Sequence, residues 1–223
     1  MKINEIPTFY TIDDLIRTVE ELGFLPYFQN NIPGFSVEEH CDPRYFSENI
    51  DGPWEWKGPV IRESKCVYGK YFQKKAGFIS KKWFADFMNY RRDGYDFDAR
   101  FNDHLATNRQ RQLFELLDQQ DSMLSITMRE HLGLKKGQEE SVINQLFMMG
   151  YITTSDFVYK KTKKGIPYGW GVARYATIER YYGDDYIQKA YLKDPVESYR
   201  NIIEHLKSIT DAAEDDVIKL IRL

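Results

Sequence analysis

The spacing of apolar and polar positions over residues 106–179 predicts three helices followed by a β-hairpin. Thr107 and Gln110 stand three residues apart, as in a capping box at a helix start, and apolar residues then recur at helical spacing. A short second helix is expected to begin at Ser125, and a third to span 137–149. This order of elements is typical of a winged helix-turn-helix.

The segment after the third helix predicts a hairpin with a basic tip. Residues 151–159 are rich in β-branched and aromatic side chains, which favour a strand, and residues 172–178 return as its partner. The turn-rich segment between the two strands, 160–170, would form a basic wing. The wing residues expected to contact DNA or to shape the wing are Lys160, Lys161, Lys163, Lys164, Tyr168 and Trp170.

The third helix would be the recognition helix of such a fold. Its outward positions include Asn144 and Gln145, whose amides can read adenine edges in the major groove. Glu139 and Glu140 on the same helix would instead repel phosphates. Two interpretations follow: the domain contacts DNA through its wing, or it is a module that docks a protein.

The remaining segments predict further helices and a long loop. Residues 29–59 are interrupted by proline and glycine, and an irregular stretch of that length is unusual inside a compact domain and more often functional than idle. Two short strands are expected around Gly69 and 76–77. The N-terminal caps of the other helices are expected at Thr11, Ser80, Asp194 and Thr210.

These patterns together predict an α+β fold that is mostly helical. The winged helix would occupy residues 106–179, after an N-terminal domain at 1–105 that forms a second, partial winged-helix-like unit. A C-terminal helical extension would occupy residues 180–223 and pack back on the first domain or on a second copy of the chain.

Composition narrows the class of protein. A charged fraction of 29% with 15% aromatic residues suits a globular chain of 223 residues, large enough to bury a core. No long apolar run is present, so we expect neither a membrane span nor a signal peptide. The only cysteines are Cys41 and Cys66, which favours a reducing cytoplasm. No metal-ligand spacing occurs, and we expect no cofactor.

The distribution of charge is more informative than the net charge of −3. Residues 57–92 carry +8 and residues 159–174 carry +5, whereas the rest of the chain is acidic. Two basic segments in an acidic chain are typical of a localised phosphate-binding surface, although surface lysines can also be merely solvated. The first basic segment adds these candidate DNA contacts: Lys74, Lys75, Lys81, Lys82, Arg91 and Arg92.

The long loop carries two tryptophans around a carboxylate, at Trp54, Glu55 and Trp56. The indoles could line a small-ligand pocket with Ser36 and Glu38, or they could simply pin the loop to the core. A pocket predicts one indole face open beside a carboxylate, and packing predicts both rings buried.

Three stretches give the chain a family resemblance. Leu22-Gly23-Phe24-Leu25-Pro26-Tyr27-Phe28, Val67-Tyr68-Gly69-Lys70 with 84–92, and the wing Lys164-Gly165-Ile166-Pro167-Tyr168-Gly169-Trp170 resemble AlkZ-type winged-helix DNA glycosylases. The chain is more similar still to the shorter AlkZ-related proteins, over residues 12–180.

That resemblance implies tandem winged helices around a DNA channel and the removal of alkylated bases. The family's catalytic signature is Gln-x-Gln or Gln-x-Asp after a Leu-Gly pair, and here the matching positions are Pro26 and Phe28. Neither side chain can place a water or stabilise a sugar cation, so the resemblance does not carry the catalytic residues over.

The leading hypothesis is therefore a duplex DNA-binding protein related to alkylpurine DNA glycosylases but without their catalytic pair. If the protein excises a base, its carboxylate candidates are Glu38, Glu39 and Glu55 in the aromatic-rich loop. The rivals are a winged-helix module for a protein partner or a homodimer, and a small-ligand pocket at the tryptophans. Whether the two basic segments form one surface decides between DNA and the protein partner.

Overall fold

Two three-stranded antiparallel sheets organise the chain in the computed structural model, which describes residues 1–46, 52–165 and 167–222. The first sheet consists of β1 (Phe24–Pro26), β2 (Val67–Phe72) and β3 (Lys75–Ile79), and the second of β4 (Met123–Leu124), β5 (Ile152–Lys161) and β6 (Pro167–Thr177). The strand orders are β1-β3-β2 and β4-β6-β5. In both sheets, therefore, the last strand in sequence lies in the centre.

Helices cover the two sheets and make up 54% of the structure. In chain order they are α1 (Ile12–Leu22), α2 (Pro53–Ser64), α3 (Lys81–Arg92), α4 (Phe97–Asn102), α5 (Asn108–Asp118), α6 (Ser125–His131), α7 (Gln138–Met148), α8 (Ile178–Tyr182), α9 (Asp184–Ala190), α10 (Pro195–Thr210) and α11 (Glu214–Ile221). Short 3-10 turns lie at Ile3–Glu5, Glu38–His40 and Pro43–Phe46. The predicted α+β class with a helical majority is confirmed.

The predicted elements of the central segment are present with small shifts of their ends. The Thr107 side chain accepts from the Gln110 amide and the Gln110 side chain accepts from the Thr107 amide, which closes the capping box of α5. Helices α6 and α7 follow near the expected bounds. Strand β5 extends to Lys161 and strand β6 begins at Pro167, so the turn between them is shorter than the predicted loop at 160–170.

The predicted irregular stretch at 29–59 is wrong in its last part, because α2 begins at Pro53. Proline suits the first turn of a helix, where its missing N–H costs nothing, and the Glu55 carboxylate accepts from the Gly52 amide at that end. Pro59 lies inside this helix. Residues 47–51 of the expected loop lie outside the described part of the chain.

The predicted cap of the last helix is also wrong. Thr210 ends α10, with its hydroxyl donating to the Leu206 carbonyl at 2.7 Å, and Asp211 closes α10 in the left-handed conformation. The last helix starts at Glu214, after Ala213. A threonine hydroxyl can cap a following helix by accepting from an amide, or it can donate to a carbonyl of the preceding helical turn. Thr210 does the second, which explains why the predicted cap is wrong.

One continuous cluster of buried apolar side chains runs through the whole chain. Leu15 of α1, Leu146 of α7 and Leu206 of α10 all belong to it and are fully buried. The two sheets meet where the Tyr68 amide of β2 donates to the Thr153 hydroxyl of β5 at 3.3 Å. Within the described residues, no helix is long and apolar enough to cross a membrane.

Candidate functional site

The β5–β6 hairpin projects a basic tip into solvent. Lys160 pairs with Tyr168 and Lys161 with Pro167 at the end of the ladder, and the Gly165 amide then donates to the Thr162 carbonyl at 2.9 Å. Gly165 has φ of +80°, a value that favours glycine over residues with a side chain. The tight turn therefore brings four lysines of 160–164 to one end of the molecule.

The four lysines of the hairpin tip are exposed, and this end of the hairpin contains no acidic residue. Lys160, Lys161, Lys163 and Lys164 are all exposed, and within the described ranges none of them forms an ion pair. The side chains of Tyr168 and Trp170, which were expected to shape the wing, lie outside the described part of the structure. The lysines alone define the charge of the tip, which suits phosphate oxygens.

Helix α7 presents less negative charge than its sequence suggests. Glu139 is buried and accepts from the Arg129 guanidinium at 3.4 Å, so the predicted phosphate repulsion by Glu139 is not supported. Glu140 is exposed, as expected. Gln145 is exposed and accepts from the Gln110 side chain at 3.0 Å, and Asn144 is half-buried.

The four lysines predicted in the first basic segment are exposed but lie at two ends of β3. Lys75, beside Lys74 at the β2–β3 turn, donates to the Gln29 carbonyl at 2.9 Å. Lys81 and Lys82 begin α3 at the other end, where the Lys81 ammonium lies 5.1 Å from the Tyr182 ring. The first basic segment therefore supplies two separate pairs of lysines.

Arg91 and Arg92 were predicted to contact phosphates, and this prediction is wrong. Arg92 is fully buried, donates to the Gly150 carbonyl at 2.9 Å and forms an ion pair with Glu179 at 2.7 Å. Arg91 is 4% exposed and donates to the Tyr71 carbonyl at 3.1 Å. Both guanidiniums hold α3 against the rest of the core and are not available to DNA.

The residues of the predicted pocket do not act as a group. Ser36 is fully buried and its hydroxyl donates to Glu39 at 2.6 Å. Trp56 is buried against Tyr45, with ring centroids 5.7 Å apart, so it is part of the packing. Trp54 is half-buried.

The three candidate carboxylates are half-buried and each has a local hydrogen bond. Glu38 accepts from the Gln29 amide at 2.9 Å, Glu39 accepts from the Gly34 amide at 2.8 Å, and Glu55 caps α2. Burial raises the pKa of the Tyr27 phenol, and the carboxylates of Glu55 and Glu38 raise it further. Glu39 faces Ser36 instead, so the structure groups only Glu38 and Glu55.

Around Trp54 lies a cluster that sequence reasoning did not identify. Its members, which we call the Trp54 cluster, are Tyr27, Phe28, Trp54, Lys57 and Phe157. The Trp54 ring lies 5.6 Å from the Tyr27 ring and 6.4 Å from the Phe28 ring. The Lys57 ammonium lies 3.1 Å from the Trp54 centroid and 4.7 Å from the Phe157 centroid. Trp54 and Lys57 are three residues apart, and helical spacing on α2 was the signal that could have paired them.

Lys57 lies in an environment that is unusual for a lysine side chain. Lys57 is 4% exposed, and burial lowers the pKa of its ammonium to about 7 in spite of the opposing effect of Glu55. The Tyr27 hydroxyl is buried and has no hydrogen-bond partner among the described residues. An amine that can lose its proton near neutral pH thus belongs to the same cluster as the Tyr27 phenol, and Glu55 acts on both groups.

The cluster lies between Lys75 and the basic tip of the hairpin. Gln29, whose carbonyl accepts from Lys75, follows Phe28 of the cluster directly. Phe157 belongs to β5, three residues before Lys160, a distance of about 10 Å along a strand. Helix α2 packs closely on β5 here, since a Cβ at Gly58 would lie 3.2 Å from the Asp156 carboxylate.

Among the described residues, no group of three or more His, Cys, Asp or Glu side chains is placed to hold a metal ion.

Comparison with known proteins identifies the family of the chain. The family described as AlkZ related matches residues 9–222, which is nearly the whole chain. The protein therefore belongs to the AlkZ-related family. This confirms the resemblance seen in the sequence and extends it beyond residue 180 through the C-terminal helices. No curated protein and no solved structure matches the chain.

Proposed function

We propose that this protein binds duplex DNA through its β5–β6 hairpin, as a winged-helix relative of the alkylpurine DNA glycosylases. The observation that carries the proposal is the hairpin tip, where four exposed lysines lie together and no described carboxylate pairs with them. A concentration of lysines on one projecting element favours the phosphate backbone. Membership of the AlkZ-related family supports a role related to DNA glycosylases.

The order of elements supports a winged helix at 106–179. Helix α5, strand β4, helices α6 and α7, and the hairpin β5–β6 follow one another, and β4 pairs with β6. In a winged helix the third helix faces the major groove and the hairpin is the wing. Since Glu139 is buried and pairs with Arg129, Glu140 is the acidic residue on α7 that would face DNA.

The N-terminal sheet supports a partial second unit of the same kind at 1–105. Helix α1, strand β1, helix α2 and the hairpin β2–β3 repeat the later order with one helix fewer, and the strand order β1-β3-β2 matches β4-β6-β5. Residues 180–223 are proposed to form a C-terminal helical extension.

A cytoplasmic location is part of the proposal, because the two cysteines are free and buried.

We propose no base excision by the family's usual catalytic pair. Pro26 lies in β1, paired with Gly77, and Phe28 contributes its ring to the Trp54 cluster. Neither side chain has a hydrogen-bonding group. DNA binding is therefore proposed independently of glycosylase activity.

The test compares three forms of the whole protein by fluorescence anisotropy with a labelled duplex at low salt. One variant replaces Lys161, Lys163 and Lys164 with alanine, and a charge-matched control replaces Lys2, Lys207 and Lys219, which are exposed on other elements. The hairpin variant should bind at least tenfold more weakly than the wild type on every duplex sequence, and the control should bind within about twofold. Equal weakening by both variants would show that the hairpin has no special role.

The rival function, a module that docks an acidic protein, gives a different result in the same experiment. Wild-type protein that shows no binding to any duplex at low salt would contradict the DNA proposal and favour the protein-docking interpretation. The hairpin would then be the docking surface.

A further inference from the structure

Lys57 is a buried amine whose environment contains no counter-charge in direct contact. It is 4% exposed, and its Nζ lies against the rings of Trp54 and Phe157. In the described part of the chain no carboxylate forms an ion pair with it and no hydrogen bond holds it. Lysines are almost never this buried without a partner, so the arrangement needs an explanation beyond stability.

The surroundings of Lys57 favour the neutral amine. Burial between two aromatic rings lowers the pKa of Lys57 to about 7, whereas an exposed lysine stays protonated at that pH. A lysine desolvated in an apolar environment is a nucleophile that forms Schiff bases with carbonyl compounds. The geometry supplies the apolar environment, and the pKa is its consequence.

The same cluster also contains groups that can move a proton. The Tyr27 hydroxyl is buried without a hydrogen-bond partner among the described residues, although buried polar groups are normally paired. Glu38 and Glu55 lie near this hydroxyl, and Glu55 also acts on Lys57. The unpartnered phenol indicates a place where a polar ligand can complete the hydrogen bonding.

The position of the cluster indicates which carbonyl compound could reach it. Phe157 lies about 10 Å along β5 from Lys160, which corresponds to about three nucleotides of a strand bound at the hairpin. The aldehyde that occurs in DNA is the ring-opened sugar of an abasic site. That sugar is also what remains when a glycosylase removes a base.

From this geometry we infer that Lys57 is the nucleophile of an abasic-site lyase, with C1′ of an abasic deoxyribose as its target. The inference rests on the DNA binding proposed above. Neutral Nζ adds to the C1′ aldehyde and water leaves, which gives a protonated imine. Glu55, the carboxylate that acts on Lys57, then removes a proton from C2′, and the electron pair forms the C2′–C3′ double bond as the C3′–O bond breaks. The leaving group is the 5′-phosphate of the downstream strand, and water then hydrolyses the imine and frees Lys57.

The side chain can make this contact without breaking a hydrogen bond. In its protonated form Lys57 is held by cation–π contact with the two rings, and the lysine stem has four rotatable bonds. Because Lys57 is 4% exposed in the structure, the proposed reaction requires rotation of this stem to bring the amine out from between the rings. No oxidant, metal or other co-reactant takes part in the reaction.

Borohydride trapping tests the inference directly. The whole protein is mixed with a labelled duplex that contains one abasic site, sodium borohydride is added, and the covalent adduct is measured on a denaturing gel. Wild-type protein should form an adduct, and mass spectrometry should place it on the peptide that contains Lys57. Lys57→Met, which keeps an apolar stem, should lose at least 95% of the adduct, whereas Lys219→Met, an exposed lysine on α11, should keep it.

Binding measured by anisotropy on the same abasic duplex separates this inference from the proposed function. Wild-type protein that binds the duplex but gives no adduct would overturn the lyase and leave DNA binding intact, and absence of binding would overturn both. An adduct located on another residue, or retained in full by folded Lys57→Met, would also overturn the lyase. If Lys57→Met fails to fold, the position of the adduct in the wild type tests the inference: an adduct on the peptide that contains Lys57 supports the lyase, and an adduct elsewhere overturns it.

Discussion

At the scale of single residues, the side chains that matter most are those whose burial contradicts their charge. Lys57, Arg91 and Arg92 all belong to the basic segment 57–92, and all three are buried. Net charge by segment could not separate them from the exposed lysines. Helical spacing could have done so for the arginines, since Arg91 and Arg92 lie four residues after Phe87 and Met88, which face the core.

The lowered pKa of Lys57 predicts a dependence of stability on pH. Folded Lys57 loses its proton near pH 7, whereas the unfolded chain keeps it up to about pH 10.4. Between these values the unfolded state binds the extra proton, so the free energy of unfolding attributable to Lys57 rises with pH, by at most about 1.4 kcal/mol per pH unit.

Chemical unfolding of the wild type and of Lys57→Met at pH 7, 8.5 and 10 measures this. The wild type should gain stability relative to the variant at each step, and Lys219→Met should show no such trend against the wild type. A difference between wild type and Lys57→Met that stays constant over this range would show that Lys57 titrates normally.

The two tryptophans of α2 predict unequal effects of truncation. Trp56 is 5% exposed and packs on Tyr45, so Trp56→Ala should lower the free energy of unfolding by about 3–5 kcal/mol. Trp54 is half-buried, so Trp54→Ala should cost clearly less and should instead change the environment of Lys57. Urea unfolding of the two variants measures the difference, and equal losses would mean that Trp54 is only scaffold.

At the scale of elements, the periodic segments were predictable and the exceptions have local causes. The capping box at Thr107 and the proline after Asp194 both mark helices that the structure contains, because cap chemistry is encoded locally. Helix α2 was missed because Gly58 and Pro59 interrupt its sequence pattern. The Trp54 cluster could not be predicted in full, since Phe157 reaches it only through packing of β5 on α2.

Arg92 joins α3 to the start of β5, and its loss should weaken that junction. Its guanidinium donates to the Gly150 carbonyl and pairs with Glu179. Arg92→Met leaves the buried Gly150 carbonyl and the partly buried Glu179 carboxylate without their donor, and breaking a buried pair costs about 3–5 kcal/mol. Urea unfolding should show this loss, and Arg109→Met, at an exposed position on α5, should stay within about 0.5 kcal/mol of the wild type. Similar midpoints for the two variants would contradict the role given to Arg92.

At the scale of the whole molecule, one continuous core holds two sheets with the same strand order. Lys75, the Trp54 cluster and the hairpin tip follow one another across the first and second sheets. Lys81 and Lys82 instead lie near Tyr182 and His205, at the other end of β3. The sequence could indicate two basic segments, but only the fold divides the first of them between two ends.

The absence of the amide pair at Pro26 and Phe28 predicts that the protein does not release N7-alkylated guanine. Alkylated duplex incubated with the protein should yield no more free base than duplex alone, measured by chromatography of the released bases. Protein-dependent release that disappears in Glu38→Gln or Glu39→Gln would contradict this and would assign the excision chemistry to those carboxylates.

The salt dependence of duplex binding tests the central claim most directly. Each phosphate neutralised contributes about −0.9 to the slope of log K against log salt. We expect a steep negative slope for the wild type, and one shallower by about 2.7 for the variant that lacks Lys161, Lys163 and Lys164, since three contacts are lost. The Lys2, Lys207 and Lys219 control should keep the wild-type slope. An unchanged slope in the hairpin variant would show that the hairpin lysines do not contact the phosphates.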